Sequence, residues 1–214
     1  MDQTLFSLIN GVWTSPSLDR VMALLSDFAF WGPILVLAVL AVVVRGNFRA
    51  RAAVLVILIA VGITDGGVVN SLKHWANRPR PHQVEPARVV KLARTQPKQL
   101  SIFMAPVVMT STPETGAISG RSFPSGHTSD NFAAAAVLAL FFRRWGRGYF
   151  LVAAAIGYSR IYTGSHWPSD VLISMFLGAS LGLLVAVALE ALWRRYGARL
   201  APQLHLSHPS LLVP

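Results

Sequence analysis

Long apolar runs alternate with short polar segments along this chain, and their lengths predict membrane-spanning helices. The runs cover residues 22–44, 52–69, 131–142, 148–161 and 171–193. A helix of about 20 mostly apolar residues can cross the hydrocarbon core of a bilayer. The third and fourth runs reach that length only by including polar residues at one end, which is typical of helices whose ends line a wet cavity. The pattern predicts an all-α, polytopic membrane helix bundle with about five transmembrane helices.

Residues 1–13 have a shorter apolar pattern that predicts a different element. Their large apolar side chains recur at a roughly helical period, with no basic cluster and no cleavage site; they are Leu5, Phe6, Leu8, Ile9 and Trp13. This pattern favours an N-terminal interfacial helix over a removable signal peptide. We predict one membrane domain over residues 1–200, with an extramembrane loop at 82–122 and a poorly ordered tail at 201–214.

The composition agrees with a membrane protein and excludes one class of chemistry. Of the 214 residues, 53% are apolar and only 13% are charged, which is unlike an ordinary soluble domain. The chain contains no cysteine. Disulfides, thiolate zinc sites and cysteine nucleophiles are therefore excluded.

The positive charges are placed asymmetrically, and this predicts an orientation. The net charge is +10, and three arginine clusters lie between or after apolar runs: Arg45/Arg49/Arg51, Arg143/Arg144/Arg147 and Arg194/Arg195/Arg199. With five spans these clusters fall on one side of the membrane, which the positive-inside rule makes cytoplasmic. The long polar loop, which is also basic, then lies on the outer face.

Three polar segments carry the candidate chemistry. Lys-x6-Arg-Pro begins at Lys73, Pro-Ser-Gly-His ends at His127, and Ser-Arg-x5-His-x3-Asp ends at Asp170. Together they supply three cations, two histidines, one carboxylate and a Ser-Gly turn. Arginine donates two hydrogen bonds to one phosphate and stays charged, and a helix that opens at Gly126 points its positive end at an anion. This set of residues suits a site that binds a phosphate and transfers it through histidine.

In order and spacing, these segments resemble the three signature motifs of the type 2 phosphatidic acid phosphatase superfamily, in its membrane lipid phosphatase branch. The resemblance implies that His166 attacks phosphorus and forms a phosphohistidine. It also implies that His127 protonates the leaving oxygen and later activates water, two tasks that suit an imidazole. The residues expected to bind the substrate phosphate are Lys73, Arg80, Ser125, Gly126 and Arg160.

The spacing of His166 and Asp170 suggests how the nucleophile is oriented. Pro168 is predicted to start a helix, so Asp170 falls in its first turn. Its carboxylate is expected to hold one nitrogen of His166 and leave the other unprotonated, as the acid does in a Ser-His-Asp triad.

A zinc site is the rival interpretation of the same residues, because His127, His166 and Asp170 offer two imidazoles and a carboxylate. The flanking cations favour phosphate over a divalent ion. We therefore expect no cofactor and no metal. Related haloperoxidases hold vanadate in this pocket, so we expect vanadate to inhibit this protein.

The resemblance implies a metal-independent lipid phosphatase of the bacterial cytoplasmic (inner) membrane, with its site facing the periplasm. The short chain looks similar to the bacterial undecaprenyl-diphosphatase and phosphatidylglycerophosphatase branch. Undecaprenyl diphosphate is favoured, with phosphatidylglycerophosphate, phosphatidic acid and lipid A phosphates as alternatives. A lipid phosphotransferase would keep every motif, whereas a non-catalytic binder would not need both histidines. The expected partners are a lipid phosphate and the membrane, not nucleic acid, and the oligomeric state stays open.

Several polar residues and the long loop have more than one interpretation. Asp65, inside the second run, would pair with Lys73 or with another helix, or would hydrogen-bond Thr64 or Asn70 in a packing role. Asp130, one turn after Gly126, would either tune His127 or cap the helix, and the cap is favoured. The apolar stretch 102–109 is too short to span the membrane, so it either lies in the interface or covers the site. The basic residues around that stretch would meet acidic headgroups.

Overall fold

The computed structural model describes residues 1–113 and 120–212, and helices form most of it. The α-helices are α1 (Asp2–Ser7), α2 (Pro16–Ser26), α3 (Phe28–Arg45), α4 (Phe48–Val61), α5 (Asn70–Ala76), α6 (Pro81–Val84), α7 (Gly126–Tyr162), α8 (Pro168–Leu200) and α9 (Pro202–Ser207). Two π-helical segments, Leu8–Val12 and Gly62–Val69, extend α1 and join α4 to α5. A 3-10 helix covers Lys98–Phe103.

Within the described residues, three helical segments are long and apolar enough to cross a membrane: Phe28–Arg45, Phe48–Val84 and Pro168–Leu200. They differ in how much of their surface the protein covers. Only 6% of the apolar window of α3 is buried, against 33% in each of the other two segments. The surface of α3 is therefore largely uncovered by the rest of the protein, while the segments that contain α4 and α8 pack more deeply into the bundle.

The long helix α7 is two helical halves joined by a sharp bend. The backbone leaves the helical region at Arg143, where φ is 35°. The Tyr149 hydroxyl donates a hydrogen bond of 2.8 Å to Asn131 Oδ1, and the rings of Phe132 and Phe150 lie 5.7 Å apart. The two halves therefore run antiparallel, and they correspond to the third and fourth apolar runs.

Glycines bring α7 and α8 into backbone contact. A Cβ atom added at Gly178 would lie 2.0 Å from the carbonyl oxygen of Ser129, and one added at Gly182 would lie 2.3 Å from that of Ala133. Any side chain here would collide with main chain, so only glycine allows this close approach. The close packing fixes the start of α7 beside the start of α8.

The three arginine clusters lie at the same end of the bundle, as the predicted topology requires. The Arg49 guanidinium lies over the Phe142 ring at 5.9 Å, and the rings of Phe48 and Trp193 are 6.0 Å apart. These contacts join the start of α4, the bend of α7 and the last turns of α8. The three polar segments that carry the candidate chemistry lie at the opposite ends of these helices.

The first span begins later than the sequence pattern predicted. A separate helix, α2, ends at Ser26, and Asp27 Oδ1 accepts the Phe30 N–H at 3.1 Å to cap α3. Asp27 also pairs with Lys98 of the loop at 3.2 Å. A capping carboxylate thus ends one helix and starts the next inside a continuous apolar run.

The prediction of an all-α fold is wrong in one place, the loop before α7. Two short strands, β1 (Arg88–Lys91) and β2 (Val107–Thr110), pair antiparallel with Val90 opposite Val108. Both strands are rich in valine, whose branched side chain favours an extended pleated backbone. Loop residues 114–119 lie outside the described part of the chain.

The prediction of a poorly ordered tail is wrong for residues 201–212. Trp193 Nε1 donates to the carbonyl oxygen of His208 at 2.8 Å. The carboxylate of Glu190 accepts hydrogen bonds from Ser210 Oγ and the Leu211 N–H, both at 2.7 Å. The tail therefore folds back onto α8, and residues 213–214 lie outside the described part.

The N-terminal helix packs against the protein at the end of the bundle that contains the three polar segments. Phe6 is 2% exposed, and its ring lies 5.3 Å from that of Trp167. Asp2 Oδ1 accepts the Ser169 N–H at 2.9 Å and so caps the first turn of α8. The predicted interfacial helix thus also secures the segment that precedes α8.

Candidate active site

The fold brings the predicted site residues to one end of the bundle. Lys73 lies in α5, Arg80 precedes α6, Ser125 and Gly126 start α7, and Arg160 is near its end. Both histidines lie in this charged region. His127 is within electrostatic range of Arg160, Lys73 and Arg80, and His166 is within range of Arg160, Arg80 and His127. Segments far apart in sequence thus form one site.

His166 is buried and its tautomer is fixed by one hydrogen bond. The residue is 3% exposed, and its Nδ1 lies 2.6 Å from the carbonyl oxygen of Ser122. A carbonyl oxygen only accepts, so Nδ1 carries the proton. Nε2 then keeps its lone pair, and among the described residues it has no hydrogen-bond partner. This is the protonation pattern that a nucleophilic imidazole requires.

The surroundings of His166 also keep the ring neutral. Burial lowers the pKa of His166 well below its usual value, and the positive charges of Arg160 and Arg80 lower it further. The hydrogen bond to Ser122 acts in the opposite direction but does not reverse the shift. The imidazole therefore remains unprotonated at neutral pH.

Asp170 does not hold His166 directly, so the expected triad-like contact is wrong. Its Oδ2 accepts the Ser122 hydroxyl at 2.5 Å and the Trp167 N–H at 3.2 Å, while Oδ1 accepts Arg78 Nη1 at 2.6 Å. Because Pro168 starts α8 as predicted, the carboxylate turns back onto the main chain of that first turn. Asp170 thus reaches His166 through Ser122, whose carbonyl oxygen accepts the imidazole proton.

Arg78 is a site residue that the sequence interpretation missed. Its guanidinium donates to Asp170 Oδ1, to Ser169 Oγ at 2.8 Å and to Asp2 Oδ2 at 2.6 Å. The group also lies over the Trp167 ring at 5.5 Å. Its place two residues before Arg80 was the available signal, but two arginines so close together did not reveal which would meet the carboxylate.

No acidic side chain among the described residues pairs directly with the three predicted phosphate-binding cations, although Asp65 lies near Lys73. In the part of the chain that the structure describes, Lys73, Arg80 and Arg160 form no ion pair, although other basic residues do. Arg160 Nη1 instead donates to the carbonyl oxygen of Ser26 at 3.0 Å and to its hydroxyl. These neutral acceptors orient the guanidinium without cancelling its charge. Such a cluster favours an anion.

Gly126 lets two charged side chains approach the start of α7. A Cβ added there would lie 2.9 Å from Asp65 Oδ1 and 3.4 Å from Lys73 Nζ. Among the acidic residues, Asp65, in the π-helical segment, has the strongest favourable electrostatic effect on Lys73. The structure therefore favours the interpretation that places Asp65 beside Lys73. Thr64 Oγ1 is buried and has no hydrogen-bond partner among the described residues.

Ser125 lies at the start of α7, but its main-chain N–H does not point into an open site. That N–H donates to Ser174 Oγ at 2.8 Å, and the Ser125 hydroxyl accepts from Thr128 Oγ1 at 2.9 Å. The Ser125 N–H is therefore already engaged within the protein. Its hydroxyl proton remains available for donation.

His127 lies in the first turn of α7, beside the start of α3. Its ring contacts the edge of Phe28, with the ring centres 6.4 Å apart. The interpretation of Asp130 as the cap of this helix is wrong, because the helix starts at Gly126 without a side-chain cap. Among the described residues, Asp130 Oδ1 is buried and has no partner.

The rival zinc site is not assembled. Within residues 1–113 and 120–212, no three histidine or acidic side chains come together in a way that suits a metal ion. His127 and His166 share one region, but the Asp170 carboxylate is held by Ser122 and Arg78. The donor set therefore does not fit the zinc interpretation.

Comparisons with known proteins agree with the motifs. The sequence matches the model of the PAP2 superfamily over residues 50–194. It is 31% identical over 189 residues to the undecaprenyl-diphosphatase BcrC of Bacillus subtilis, covering 86% of this chain and 82% of that protein. It is 37% identical over 76 residues to the lipid A 1-phosphatase of Rhizobium etli, covering 36% of this chain but only 33% of that relative.

Solved structures share the architecture. The crystal structure of Aquifex aeolicus LpxE matches with a TM-score of 0.59 and 26% identity, covering 86% of this chain and 93% of that one. A PAP2 type phosphatidylglycerolphosphate phosphatase from Bacillus subtilis matches with a TM-score of 0.54 at 22% identity, which is a likeness of fold. Since the family match spans residues 50–194 and BcrC aligns over most of both chains, this protein belongs to the PAP2 superfamily.

Proposed function

We propose that this protein is an integral membrane lipid phosphatase that hydrolyses a lipid phosphate or diphosphate through a phosphohistidine at His166, without a metal ion. Undecaprenyl diphosphate is the preferred substrate. The family and the long alignment with BcrC support the substrate class. The single observation that carries the mechanism is the buried His166, whose Nδ1–H is held by the Ser122 carbonyl oxygen while Nε2 keeps its lone pair.

In the first step, His166 Nε2 attacks phosphorus and the bond from phosphorus to the leaving oxygen breaks. Lys73, Arg80 and Arg160 stabilise the charge that develops on the transferring phosphoryl oxygens. His127 donates a proton to the leaving oxygen, which departs with the lipid. The proton on His166 Nδ1 stays on the ring, where the Ser122 carbonyl oxygen accepts it.

In the second step, a water molecule attacks the phosphohistidine and the nitrogen–phosphorus bond breaks. His127, now neutral, takes a proton from that water. Inorganic phosphate leaves and His166 returns to its starting tautomer. Ser125 and Gly126 complete the anion site from the start of α7, where the helix dipole favours negative charge.

The proposal includes five spans and an outward-facing site. The two antiparallel halves of α7 serve as the third and fourth spans, beside the three longer candidates. The arginine clusters at the opposite end of the bundle support a cytoplasmic location for that end. The site then faces the periplasm, across the inner membrane of a bacterium.

The choice between lipids rests on the comparisons. BcrC aligns with most of the chain and favours undecaprenyl diphosphate. A lipid A 1-phosphatase aligns with a shorter segment and makes lipid A the second candidate. Both offer a phosphate group at the membrane surface, which is the group that the three cations would bind.

Phosphate release by the purified protein tests the proposal. The substrates are undecaprenyl diphosphate, lipid A, phosphatidic acid and phosphatidylglycerophosphate, each with the unsubstituted chain and with His166→Ala. We expect release from undecaprenyl diphosphate that is lost in His166→Ala. His74→Ala is the matched control, since the His74 ring is exposed and its Nδ1 bonds the Asn70 carbonyl oxygen of its own helix.

The outcomes separate the parts of the proposal. Acid-labile radioactive phosphate that stays on the unsubstituted protein, but not on His166→Ala, would support the phosphohistidine. Turnover that survives in His166→Ala would overturn the nucleophile. No phosphate release from any lipid, with phosphate instead transferred to an acceptor lipid, would replace hydrolysis by phosphotransfer.

A further inference from the structure

The loop between α6 and α7 exposes an apolar surface that the catalytic proposal does not use. It is formed by the 3-10 helix and β2, and we call it the loop apolar surface: Leu100, Ile102, Phe103, Met104, Val107, Val108 and Met109. Phe103 is 84% exposed, and Met104 and Met109 are 49% and 48% exposed. Large apolar side chains that are exposed together in one short segment indicate an interaction surface.

Two contacts fix the depth of this surface relative to the membrane-spanning helices. Lys98 Nζ pairs with Asp27 Oδ2 at 3.2 Å, and Gln99 Nε2 donates to the Phe30 carbonyl oxygen at 2.9 Å. Asp27 caps α3, and Phe30 lies in its first turn. The loop apolar surface therefore lies beside the N-terminal end of α3.

The exposed surface of α3 indicates where the bilayer begins. Its side chains are apolar and largely uncovered from the first residue onwards, with Phe28 66% exposed and Leu37 66% exposed. Acyl chains must cover such a helix along its whole length. The bilayer boundary on the site side thus lies at the start of α3, at the same level as the loop apolar surface.

The charges around the surface suit a lipid headgroup. Residues 86–113 contain no acidic residue, and Lys91 and Arg94 are exposed near the apolar side chains. Large apolar residues flanked by basic ones are typical of segments that lie in a membrane interface and prefer anionic lipids. A protein partner would not explain why the patch coincides in depth with the start of α3.

We propose that the loop apolar surface inserts into the headgroup and upper acyl region of the leaflet on the active-site side, with a preference for anionic phospholipid. The inserted loop would hold the site at a fixed height. The residues that lead from the loop into α7 are tied to the first polar segment, since the Gly120 and Ser122 N–H groups donate to Asn77 Oδ1 and to the Arg78 carbonyl oxygen. This proposal does not depend on the catalytic one.

Single-cysteine labelling tests it, because the chain has no cysteine of its own. A polarity-sensitive fluorophore is attached to Phe103→Cys in the full chain, with one protein per nanodisc. Gln96→Cys, at an exposed polar position of the same loop, is the control for water, and Leu37→Cys on α3 is the control for lipid. The measurements are emission wavelength, quenching by iodide, and quenching by a lipid that carries a nitroxide near its headgroup.

We expect the label at 103 to share two properties with the lipid control at 37: blue-shifted emission and iodide quenching several-fold weaker than at 96. The headgroup nitroxide should quench the label at 103 more strongly than the label at 37, because Leu37 lies in the middle of α3. Discs of phosphatidylcholine with phosphatidylglycerol should give a larger blue shift than phosphatidylcholine alone. A label at 103 that iodide quenches as readily as at 96 would overturn the insertion. Shielding from both quenchers would also overturn it, since protein would then cover the surface. Val108→Cys repeats the test from β2 if the first variant does not fold.

Discussion

The carbonyl oxygen of Ser122 accepts the proton of His166 Nδ1 at 2.6 Å, while the hydroxyl of the same serine donates to Asp170 at 2.5 Å. One residue thus joins the proposed nucleophile to the buried carboxylate. Arg78 holds the other carboxylate oxygen at 2.6 Å. Asp170 therefore acts on His166 by fixing the main chain that orients it, rather than by contact.

Asp170→Asn should lower kcat more than it changes KM. The substitution weakens hydrogen bonds to a charged group, each worth about 1.5–3 kcal/mol, so the expected loss is roughly 10–100-fold in kcat. Ser122→Ala should lower kcat less than Asp170→Asn does, because the Ser122 carbonyl oxygen that binds His166 remains. Ser169→Ala is the control, since it contacts Arg78 and Asp2 but not Ser122.

Steady-state kinetics with the preferred lipid, together with thermal unfolding, measure these effects. An unchanged kcat in Asp170→Asn, with the protein folded, would mean that the Ser122 carbonyl oxygen orients His166 without help from the carboxylate. A change in KM alone would instead indicate that Asp170 belongs to the phosphate-binding group.

The pH profile should report the depressed pKa of His166. Burial and the charges of Arg160 and Arg80 favour the neutral ring, so protonation of the folded enzyme requires a pH well below the ordinary histidine value of about 6.5. The unfolded chain binds this proton first. The stability from the neutral ring is therefore complete above that value and is lost as the pH falls towards the folded pKa.

The acid limb of kcat/KM should accordingly lie below that ordinary value. Arg80→Gln removes one repelling charge and should move the limb to higher pH. Ionisation of the substrate phosphate is common to both enzymes, so the difference between the profiles isolates the protein group. Identical limbs in the two proteins would show that His166 does not set this part of the profile.

Gly126→Ala should weaken substrate binding by displacing Asp65, the carboxylate beside Lys73. The added Cβ would lie 2.9 Å from Asp65 Oδ1, which must therefore move, and 3.4 Å from Lys73 Nζ, which is an ordinary contact distance. We expect KM to rise by roughly tenfold, the effect of about 1.4 kcal/mol. Gly148→Ala in the other half of α7 is the matched control, because nothing lies within 4 Å of its added Cβ.

The control should keep its KM and gain a little stability, since alanine favours a helix over glycine by about 1 kcal/mol. Equal KM values in Gly126→Ala and the unsubstituted protein would argue against Lys73 as a phosphate ligand. Binding of vanadate, measured as competitive inhibition, gives a second readout that does not depend on turnover.

Chelation should leave the activity unchanged, because the proposed charge stabilisation comes from Lys73, Arg80 and Arg160. Phosphate release is measured before and after treatment with EDTA, followed by separation from the chelator. Activity that falls and returns with zinc would overturn the metal-independent mechanism.

Vanadate should inhibit by occupying the phosphate position, and Arg160→Lys should weaken this inhibition because lysine lacks the planar fork of arginine.

The sequence predicted the members of the site better than their contacts. Motif spacing identified His127, His166 and Asp170, because each of them has a fixed position within one of the three polar segments. It did not reveal Ser122 or Arg78 as the partners of Asp170. Those contacts depend on how the turn before α7 packs against α8, which is set by backbone approaches at distant glycines such as Gly178.

The same reasoning explains the errors in the fold. Apolar runs identified the helices of the bundle, since burial in lipid imposes a length and an apolar surface on each of them. The run 22–44 hid a helix boundary, because one capping residue, Asp27, interrupts it. The tail looked poorly ordered because its composition is uncharged and irregular, whereas its order comes from Glu190, far away in sequence.

Glu190→Ala should lower thermal stability by releasing this tail. Glu190 is 8% exposed, and its carboxylate accepts hydrogen bonds from Ser210 Oγ, the Leu211 N–H and Arg194 Nε. Removing it leaves donors unpaired at a cost of about 1–3 kcal/mol, which corresponds to a Tm lower by roughly 4–8 °C for about 2 kcal/mol in a chain of this size. Arg194→Ala is the control, because that side chain is 60% exposed and a surface pair contributes about 0.3–0.5 kcal/mol.

Tm is measured in one detergent for both variants and for a chain that ends at residue 200. Equal Tm values for Glu190→Ala and Arg194→Ala would mean that the tail does not stabilise the bundle. Agreement between Glu190→Ala and the shortened chain would assign the loss to release of the tail.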